Sequence, residues 1–510
     1  MNLTELVALQ STLNEALDAI QAEIRNDGLP ELSTTSQEPH PLDHSNASTS
    51  PRLYEARRLA LGKPFLCTFG YLSDEVIHRS EYHFVSAASI GQLKNLLQVP
   101  YEKVVEQSCA VYDTSCLDIF VKTGIVDALA ETPHSATGLH VLELQKQLDL
   151  PAPKLRTVMR YLACQGWVHE TQEDVFTLNR PALELRKGNN GRKWVLTPGK
   201  PKVASSLLDV ITHPQWKHSR SPKETAFQLS HKTPLTLFAY LKQNPAELKQ
   251  WASSVRSLGD VYQPAIVNDY PWKRLGPRTI VDVGGGQGNL SISLAKCLPE
   301  CNFVIQDLPE VVPIAQGNID RDIPELAEEG RIVVEAHNFF HTQPRSSEDI
   351  VYMFRYILHD WPEADCITIL KNTKAAAGRR SKILIVEYVS TPSTISSTPS
   401  GDTISLSDLS ATSHSHSHSN SNGVINGNGN GVVKTKSKAY RSITAPAYVP
   451  ANFGANAKMH LALGVHMMGV FNALERSLTE WQEIIEAAGL KISGVYSLRA
   501  SVSVIECELA

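Results

Sequence analysis

Apolar residues first recur at Leu6, Leu9, Leu13, Leu17, Ile20 and Ile24. Steps of three and four mark one face of an amphipathic helix. Asn2 and Glu5 predict a capping box at its start. The stripe stops within about three heptads, so it reads as a docking helix rather than a free coiled coil. Positions 28–51 are rich in Ser, Thr, Pro and His and read as a linker. From Cys116 to Asn179 the pattern changes. Leu117, Phe120, Val121, Ile125, Val126 and Leu129 predict one helix, and Leu139, Val141, Leu144 and Leu148 a second. Pro151 and Pro153 punctuate, then Leu155, Val158, Met159 and Leu162 predict a third. Trp167–His169 and Val175–Leu178 read as two short strands around a polar turn. Three helices and a β-hairpin make a winged helix. Residues 224–270 read as helices, with Leu235, Leu237, Phe238, Leu241, Leu248 and Trp251 as candidate inner faces.

From Thr279 onward short apolar runs alternate with helical patterns. Ile280–Val283, Phe303–Ile305, Ile332–Val334, Ile350–Met353 and Ile383–Val386 read as strands, and Leu290–Leu298 as a helix. Continuous apolar strands alternating with helices predict an α/β fold whose parallel sheet is covered on both faces. Ser390 to Lys438 interrupts this order with Ser, Thr, Asn and Gly and without Phe, Trp or Tyr. Such a segment buries too little apolar surface to offset its ordering entropy, and 390–438 is expected to be a disordered insert. A helical run through Met467, Met468 and Phe471, a helix at Thr479–Ala488 and a last strand at Ser501–Cys507 are expected to finish the chain.

Composition sharpens the picture only in places. A chain of 510 residues with 42% hydrophobic content holds more than one domain, each with a sizeable core. Its 48 basic and 53 acidic residues leave a net charge of −5, which argues against nucleic-acid binding through bulk charge. The winged helix invites a DNA-binding reading through Lys154, Arg156 and Arg160 on its third helix, but Glu170, Glu173 and Asp174 crowd the wing. Cysteines at 67, 109, 116, 164, 297, 301, 366 and 507 form no Cys-x-x-Cys pair and fit a reducing compartment. A polar N-terminus and the absence of any ~20-residue apolar run predict a cytoplasmic protein without a membrane span.

The first candidate site joins a strand to a helix, at Asp282-Val283-Gly284-Gly285-Gly286-Gln287-Gly288. Glycines let the backbone turn sharply and approach a ligand closely, and the carboxyl edge of such a sheet binds nucleotide-like ligands. A dinucleotide fingerprint needs Gly-x-Gly-x-x-Gly. Counted from Gly284 the last position is Asn289, and counted from Gly286 it is Ser291. The spacing therefore suits a nucleoside-like ligand without a pyrophosphate. Asp307, ending the second strand, can accept hydrogen bonds from ribose hydroxyls. Its other reading is a helix N-cap. Asn338 and Phe339, just past the third strand, lie within reach of an adenine.

A second candidate group is His359-Asp360-Trp361 after the fourth strand, with Glu387 ending the fifth. A histidine at this edge suits proton removal from a hydroxyl, and a carboxylate on its other ring nitrogen would fix the tautomer. Asp360 is expected to cap the helix that follows, with Pro362 in its first turn. Carboxylates gather at no further strand end, so no metal is expected. Met467, Met468, Phe471 and Asn472 fit either the lining of an acceptor pocket or a plain core helix.

Together, Asp282-Val283-Gly284-Gly285-Gly286-x-Gly288, Asp307-Leu308-Pro309, His359-Asp360-Trp361, Val386-Glu387 and Glu475-Arg476-Ser477 resemble the cation-independent small-molecule O-methyltransferases, the plant caffeate/flavonoid type and its fungal relatives. The resemblance runs from about Leu117 to the C-terminus, outside the insert. It implies a Rossmann-like class I methyltransferase domain at 206–510 and a winged-helix-like dimerisation domain at 51–205, preceded by the N-terminal helix and linker at 1–50 that the apolar pattern and composition predict. It also implies S-adenosyl-L-methionine as methyl donor, a small-molecule acceptor and a homodimer. His359 would be the catalytic base flanked by Glu387 and Glu475, Asp307 would hold the ribose, and Arg355 would join the cofactor pocket with Gly284, Gly285 and Gly286. Three positions depart from the family pattern: Asn338 stands where Asp is usual, Arg355 where plant members carry Lys, and Gly464 where an acid is expected. Two rival functions are a non-catalytic winged-helix regulator that senses S-adenosylmethionine and, disfavoured by the glycine spacing, a nicotinamide oxidoreductase.

Overall fold

The computed structural model describes residues 100–131, 137–390 and 455–510, together with five single positions between 14 and 25. Those five, Asn14, Asp18, Gln21, Ala22 and Arg25, are helical and exposed. The apolar stripe of the first helix, the linker at 28–51 and the insert beyond Ser390 lie outside the described residues.

The N-terminal helices are α1 (Pro100–Cys109), α2 (Val111–Lys122) and α3 (Ile125–Ala130). One helix was expected across Leu117–Leu129. Gly124 breaks it, at φ +81°, a left-handed conformation that glycine adopts without the Cβ penalty. Next come β1 (Leu139–His140), α4 (Val141–Leu148), α5 (Ala152–Cys164), β2 (Val168–Gln172) and β3 (Val175–Leu178). Leu139, expected to be helical, instead pairs with Phe176 in an antiparallel sheet of order β1-β3-β2. Phe120, Val126, Leu144, Met159 and Phe176 close one core. On α5, Arg156 grips Asp174 with three hydrogen bonds of 2.6–2.8 Å, and Arg160 reaches Glu170 at 3.1 Å. Asp174 and Glu170 thus occupy both arginines of α5.

A second cluster holds Val203, Phe227, Leu241, Met467 and Phe471. It joins α6 (Lys200–Ser205), α7 (Ala226–His231) and a helix near the C-terminus, and the boundary expected at 205/206 falls inside it. Leu237 and Leu241 are buried as expected, but Phe238 and Leu248 are exposed. The long helix α8 (Pro245–Asp269) leads into the sheet domain.

That domain alternates β4 (Thr279–Val283), α9 (Asn289–Cys297), β5 (Asn302–Asp307), α10 (Val312–Asp322), β6 (Ile332–Ala336), β7 (Val351–Arg355), α11 (Glu363–Lys374) and β8 (Lys382–Glu387). Helices α12 (Ala455–Phe471) and α13 (Leu478–Ala487) precede β9 (Leu490–Ser497) and β10 (Ser503–Leu509). The seven strands lie in the order β6-β5-β4-β7-β8-β10-β9. Strands β4 to β8 pair in parallel, whereas β10 runs antiparallel to both β8 and β9. Side chains alternate strictly between two cores. Val351, Met353, Leu384 and Val386 face α8 and α9, while Tyr352, Phe354, Ile383 and Ile385 face α11 and α13. Strand β9 is one that the hydrophobic pattern did not single out.

Candidate active site

The parallel strands bring their carboxyl ends to one edge, where β4, β5, β7 and β8 deliver the glycine loop, Asp307, Arg355 and Glu387. The loop turns back on β5. Gly284 and Gly285 donate their N–H groups to Gln306 O at 2.8 and 3.0 Å, and Gly286 donates to Asp307 Oδ2 at 2.8 Å. A Cβ on Gly284, at φ +71°, would sit 2.6 Å from Ile357 Cδ1. Gly286 also has positive φ, but nothing stands within 4 Å of where its Cβ would be. The first glycine is required by packing, and the second leaves open space. Behind the loop, buried Asp282 accepts a 2.7 Å hydrogen bond from Ser291 Oγ.

Asp307 also accepts from Leu308 N at 2.7 Å. Burial pushes its carboxyl up, and the Leu308 and Gly286 amides pull it back. Past the end of β6, Asn338 accepts from Phe340 N at 3.0 Å and so shapes its own turn. Phe339 packs against Phe340 and Trp361, with its Cε1 3.7 Å from the Cβ position of Gly284. Arg355 Nη1 is buried and has no hydrogen-bond partner among the described residues.

Beyond Arg355 the backbone leaves the strand sharply. Tyr356 adopts φ +54°, and Leu358–Asp360 forms a single 3₁₀ turn. This turn buries His359 and brings its ring to 5.7 Å from that of Tyr356. Asp360 does not cap the next helix as expected: the capping position is Pro362, and no side chain caps α11 there. The Asp360 carboxylate instead turns toward the histidine, with Oδ1 3.6 Å from Nε2.

Glu475, from the loop between α12 and α13, holds His359 Nδ1 at 2.8 Å. Glu387, expected to orient the ring, does something else. Its Oε1 accepts from the backbone N–H groups of Ile357 and Leu358 at 2.9 Å and of His359 at 3.4 Å. Burial would lower the basicity of His359, but Glu387, Asp360 and Glu475 outweigh it and raise the ring to about 10. Burial likewise pushes Asp360 to about 6 and Glu387 to about 7, with the nearby imidazole opposing both. The second oxygens of Glu387 and Glu475 and the Tyr388 hydroxyl are buried without hydrogen-bond partners among the described residues.

The helix read as either an acceptor wall or a plain core helix sends part of its apolar face into a core. Met467 and Phe471 are buried in the cluster with Val203 and Phe227, and Phe471 stacks on Phe238. Asn472 gives its amide to Ser221 O and Glu224 O at 2.7 and 3.2 Å, tying down the end of α12. Met468 and Asn472 are both half-buried and stand outside that core. The same helix reaches the active edge through other residues. His460 stacks on Tyr388 at 4.7 Å, and Gly464 lies against Glu475. Sequence reasoning missed Tyr388 and His460, which carry no motif, and passed over the role of Asp360 although it adjoins His359. Among the described residues no group of His, Cys, Asp and Glu is arranged to hold a metal ion.

Residues 216–422 match the O-methyltransferase domain family. The O-methyltransferase tpcA of Aspergillus fumigatus is 27% identical over 458 residues, covering 83% of this chain and 86% of the relative. The 3-O-methyltransferase 2 of Phanerochaete chrysosporium is 31% identical over 307 residues, 59% of this chain and 67% of the relative. A grayanic acid biosynthesis cluster O-methyltransferase of Cladonia grayi is 38% identical over 256 residues, 49% of this chain and 51% of the relative. The solved structure of LepI in complex with SAM superposes with a TM-score of 0.61 at 18% identity, covering 83% of this chain and 92% of that one, and so shares the fold. Fold, edge chemistry and these relatives agree, and the chain belongs to the S-adenosylmethionine-dependent O-methyltransferase family, with fungal members as its relatives.

Proposed function

We propose that this chain methylates a phenolic or enolic hydroxyl of a small specialised metabolite, with S-adenosyl-L-methionine as donor and His359 as general base. The carrying observation is the buried pair His359 Nδ1–Glu475 Oε1 at 2.8 Å, set at the same sheet edge as the glycine loop. The residues present fit the donor. Gly286 leaves space for a close ligand, and Arg355 Nη1 keeps unspent hydrogen-bonding capacity. Gly284, Gly285, Gly286, Asp307, Asn338, Phe339 and Arg355 are the residues that would hold it. When bound, it supplies an electrophilic methyl group on a sulfonium.

The protein's own task is to orient the acceptor and remove its proton. Glu475 fixes the ring so that Nδ1 faces the carboxylate and Nε2 is left for the acceptor hydroxyl. The imidazolium formed by proton transfer is stabilised by Glu475 and Asp360. Glu387 holds the backbone of the turn and so determines where the ring stands. The chemistry uses no metal. His359→Ala is expected to lower kcat by at least about 100-fold, with the donor Kd by calorimetry unchanged. Retention of wild-type kcat would remove His359 from the role of base.

We further propose a homodimer joined through α1 and α2, working in the reducing cytoplasm. Exposed Tyr101, Val104, Val111 and Tyr112 support the first point, and seven described cysteines present as free thiols support the second. No helix among the described residues is long and apolar enough to cross a membrane. The pairing of Arg156 and Arg160 with the wing acids supports a role in protein contact over DNA binding.

A further inference from the structure

We infer that Arg476 is a positioning residue that sets the turn carrying His359 and thereby the geometry of proton removal. The inference rests on the reading of His359 as base. The turn is short and intrinsically weak: a 3₁₀ segment of three residues, entered through the left-handed Tyr356. Its amides are satisfied from one side by Glu387. On the other side Leu358 O accepts the turn's own bond from Trp361 N at 3.2 Å, and holding so short a turn in place takes a further donor from another element.

Arg476 supplies it. The residue is only 4% exposed. Its Nη1 donates to Leu358 O at 3.0 Å and its Nη2 to Trp361 O at 2.6 Å. These carbonyls bracket His359 and Asp360 on either side. The planar guanidinium lies over the buried Trp481 ring at 5.1 Å, which fixes the plane of the fork. The Cys366 thiol, from α11, converges on the same two carbonyls at 3.1 and 3.4 Å.

Arg476 directly follows Glu475, so one dipeptide grips both parts of the base. Glu475 holds the ring at Nδ1, and Arg476 holds the main chain on which the ring is mounted. The dipeptide is itself anchored. Ser390 N donates to Arg476 O at 2.8 Å, and Ser477 caps α13 in a capping box with Glu480. A shift of α13 relative to the turn would therefore move ring and backbone together. Arg476 touches neither the donor loop nor the hydroxyl-facing Nε2, so its influence passes through His359.

Lysine cannot reproduce the fork, since its ammonium is a single point on a flexible stem. Arg476→Lys is expected to lower kcat on the order of 10- to 100-fold, the scale of a misplacement of about 1 Å. Donor Kd should stay near wild type in a variant that still melts cooperatively, and the limb of the pH–rate profile assigned to His359 should move. Arg476→Gln should lower kcat further. If Arg476→Gln does not fold, Arg476→Lys, which keeps the charge and the aliphatic stem over Trp481, carries the test alone.

A double-mutant cycle separates this inference from the reading beneath it. If Arg476 acts through the base, His359→Ala combined with Arg476→Lys should be no slower than His359→Ala alone. An equal loss in both backgrounds, or wild-type kcat in folded Arg476→Lys, would overturn the positioning role and leave the base intact. High activity in His359→Ala alone would instead overturn the base assignment.

Discussion

His359 sits under two opposed influences, and their balance determines its pH behaviour. Burial favours the neutral ring, while Glu387, Asp360 and Glu475 favour the charged one and prevail, at about 10. A free phenol has a pKa of ~10, so the ring and its proposed acceptor are matched in basicity and proton transfer between them is nearly level. The catalytic form is the neutral ring, whose fraction grows with pH. Turnover should therefore rise with pH well above the ordinary histidine range of ~6.5. Glu475→Gln removes one of the carboxylates that raise the ring. The rising limb should move to lower pH, while its plateau falls by roughly 10²–10⁴-fold because the imidazolium loses its partner. A pH–rate profile with an unmoved limb would mean that the limb belongs to another group. The sequence identified His359 through its motif, but it could not reveal how many carboxylates face the ring. Asp360 was read as a helix cap because Asp before Trp-Pro has that local preference. The 3₁₀ turn overrides the preference and directs the side chain inward.

At the scale of elements, the unexpected feature is the exchange of roles between two carboxylates. Glu387 ends β8 at the correct edge, and from that position alone it was expected to orient the ring. Its oxygen is drawn instead to three amides of the turn. Glu475 takes the ring from a loop 116 residues farther along the chain. No local pattern encodes a contact over that separation, so the sequence could name both acids without assigning their tasks. The arrangement also has a stability signature. A carboxyl raised by burial to about 7 makes the folded state bind its proton more tightly than the unfolded chain does. Its contribution is fully present below the unfolded value of 4.5 and is lost as pH rises through about 7. The raised His359 acts in the same direction, since its contribution is lost as pH rises from 6.5 toward 10. These two groups should thus withdraw stability between pH 5 and pH 8. Glu387→Gln keeps an oxygen for the turn amides and removes this charge, so it should lose less over that range. A gap widening by about 1 kcal/mol, or ~2–4 °C in Tm, is expected. Parallel Tm-versus-pH curves would show that Glu387 is not raised in the folded protein.

Over the whole molecule, legibility followed burial. The five parallel strands were readable because both of their faces are covered, which forces continuous apolar runs. Strand β9 is an edge strand with Lys491, Ser493 and Gly494 among its apolar residues, and it gave no such run. The helix α12 is apolar on nearly every side, so periodicity could not say which face meets the core. Met467 and Phe471 turned inward, and Met459, Leu461 and Val465 remain exposed. The same kind of surplus appears at the other end of the chain. Helix α1 has no buried residue, although Tyr101 is 76% and Val104 66% exposed, and on α2 Val111 is 63% and Tyr112 56% exposed. Four large apolar side chains thus stand exposed on two consecutive helices, and apolar surface gathered into a patch is seldom left open by soluble monomers. A twofold contact would bury the same patch on both copies, as symmetric dimers do. Light scattering is expected to give twice the 56.1 kDa chain mass for the wild type. Val104→Asp combined with Tyr112→Asp places unpaired charge at the centre of the patch and should halve that mass. Neither substituted residue belongs to the sheet domain, so the donor Kd should change little in the monomer. A variant that stays dimeric would move the interface elsewhere, and a wild-type mass of one chain would remove it altogether.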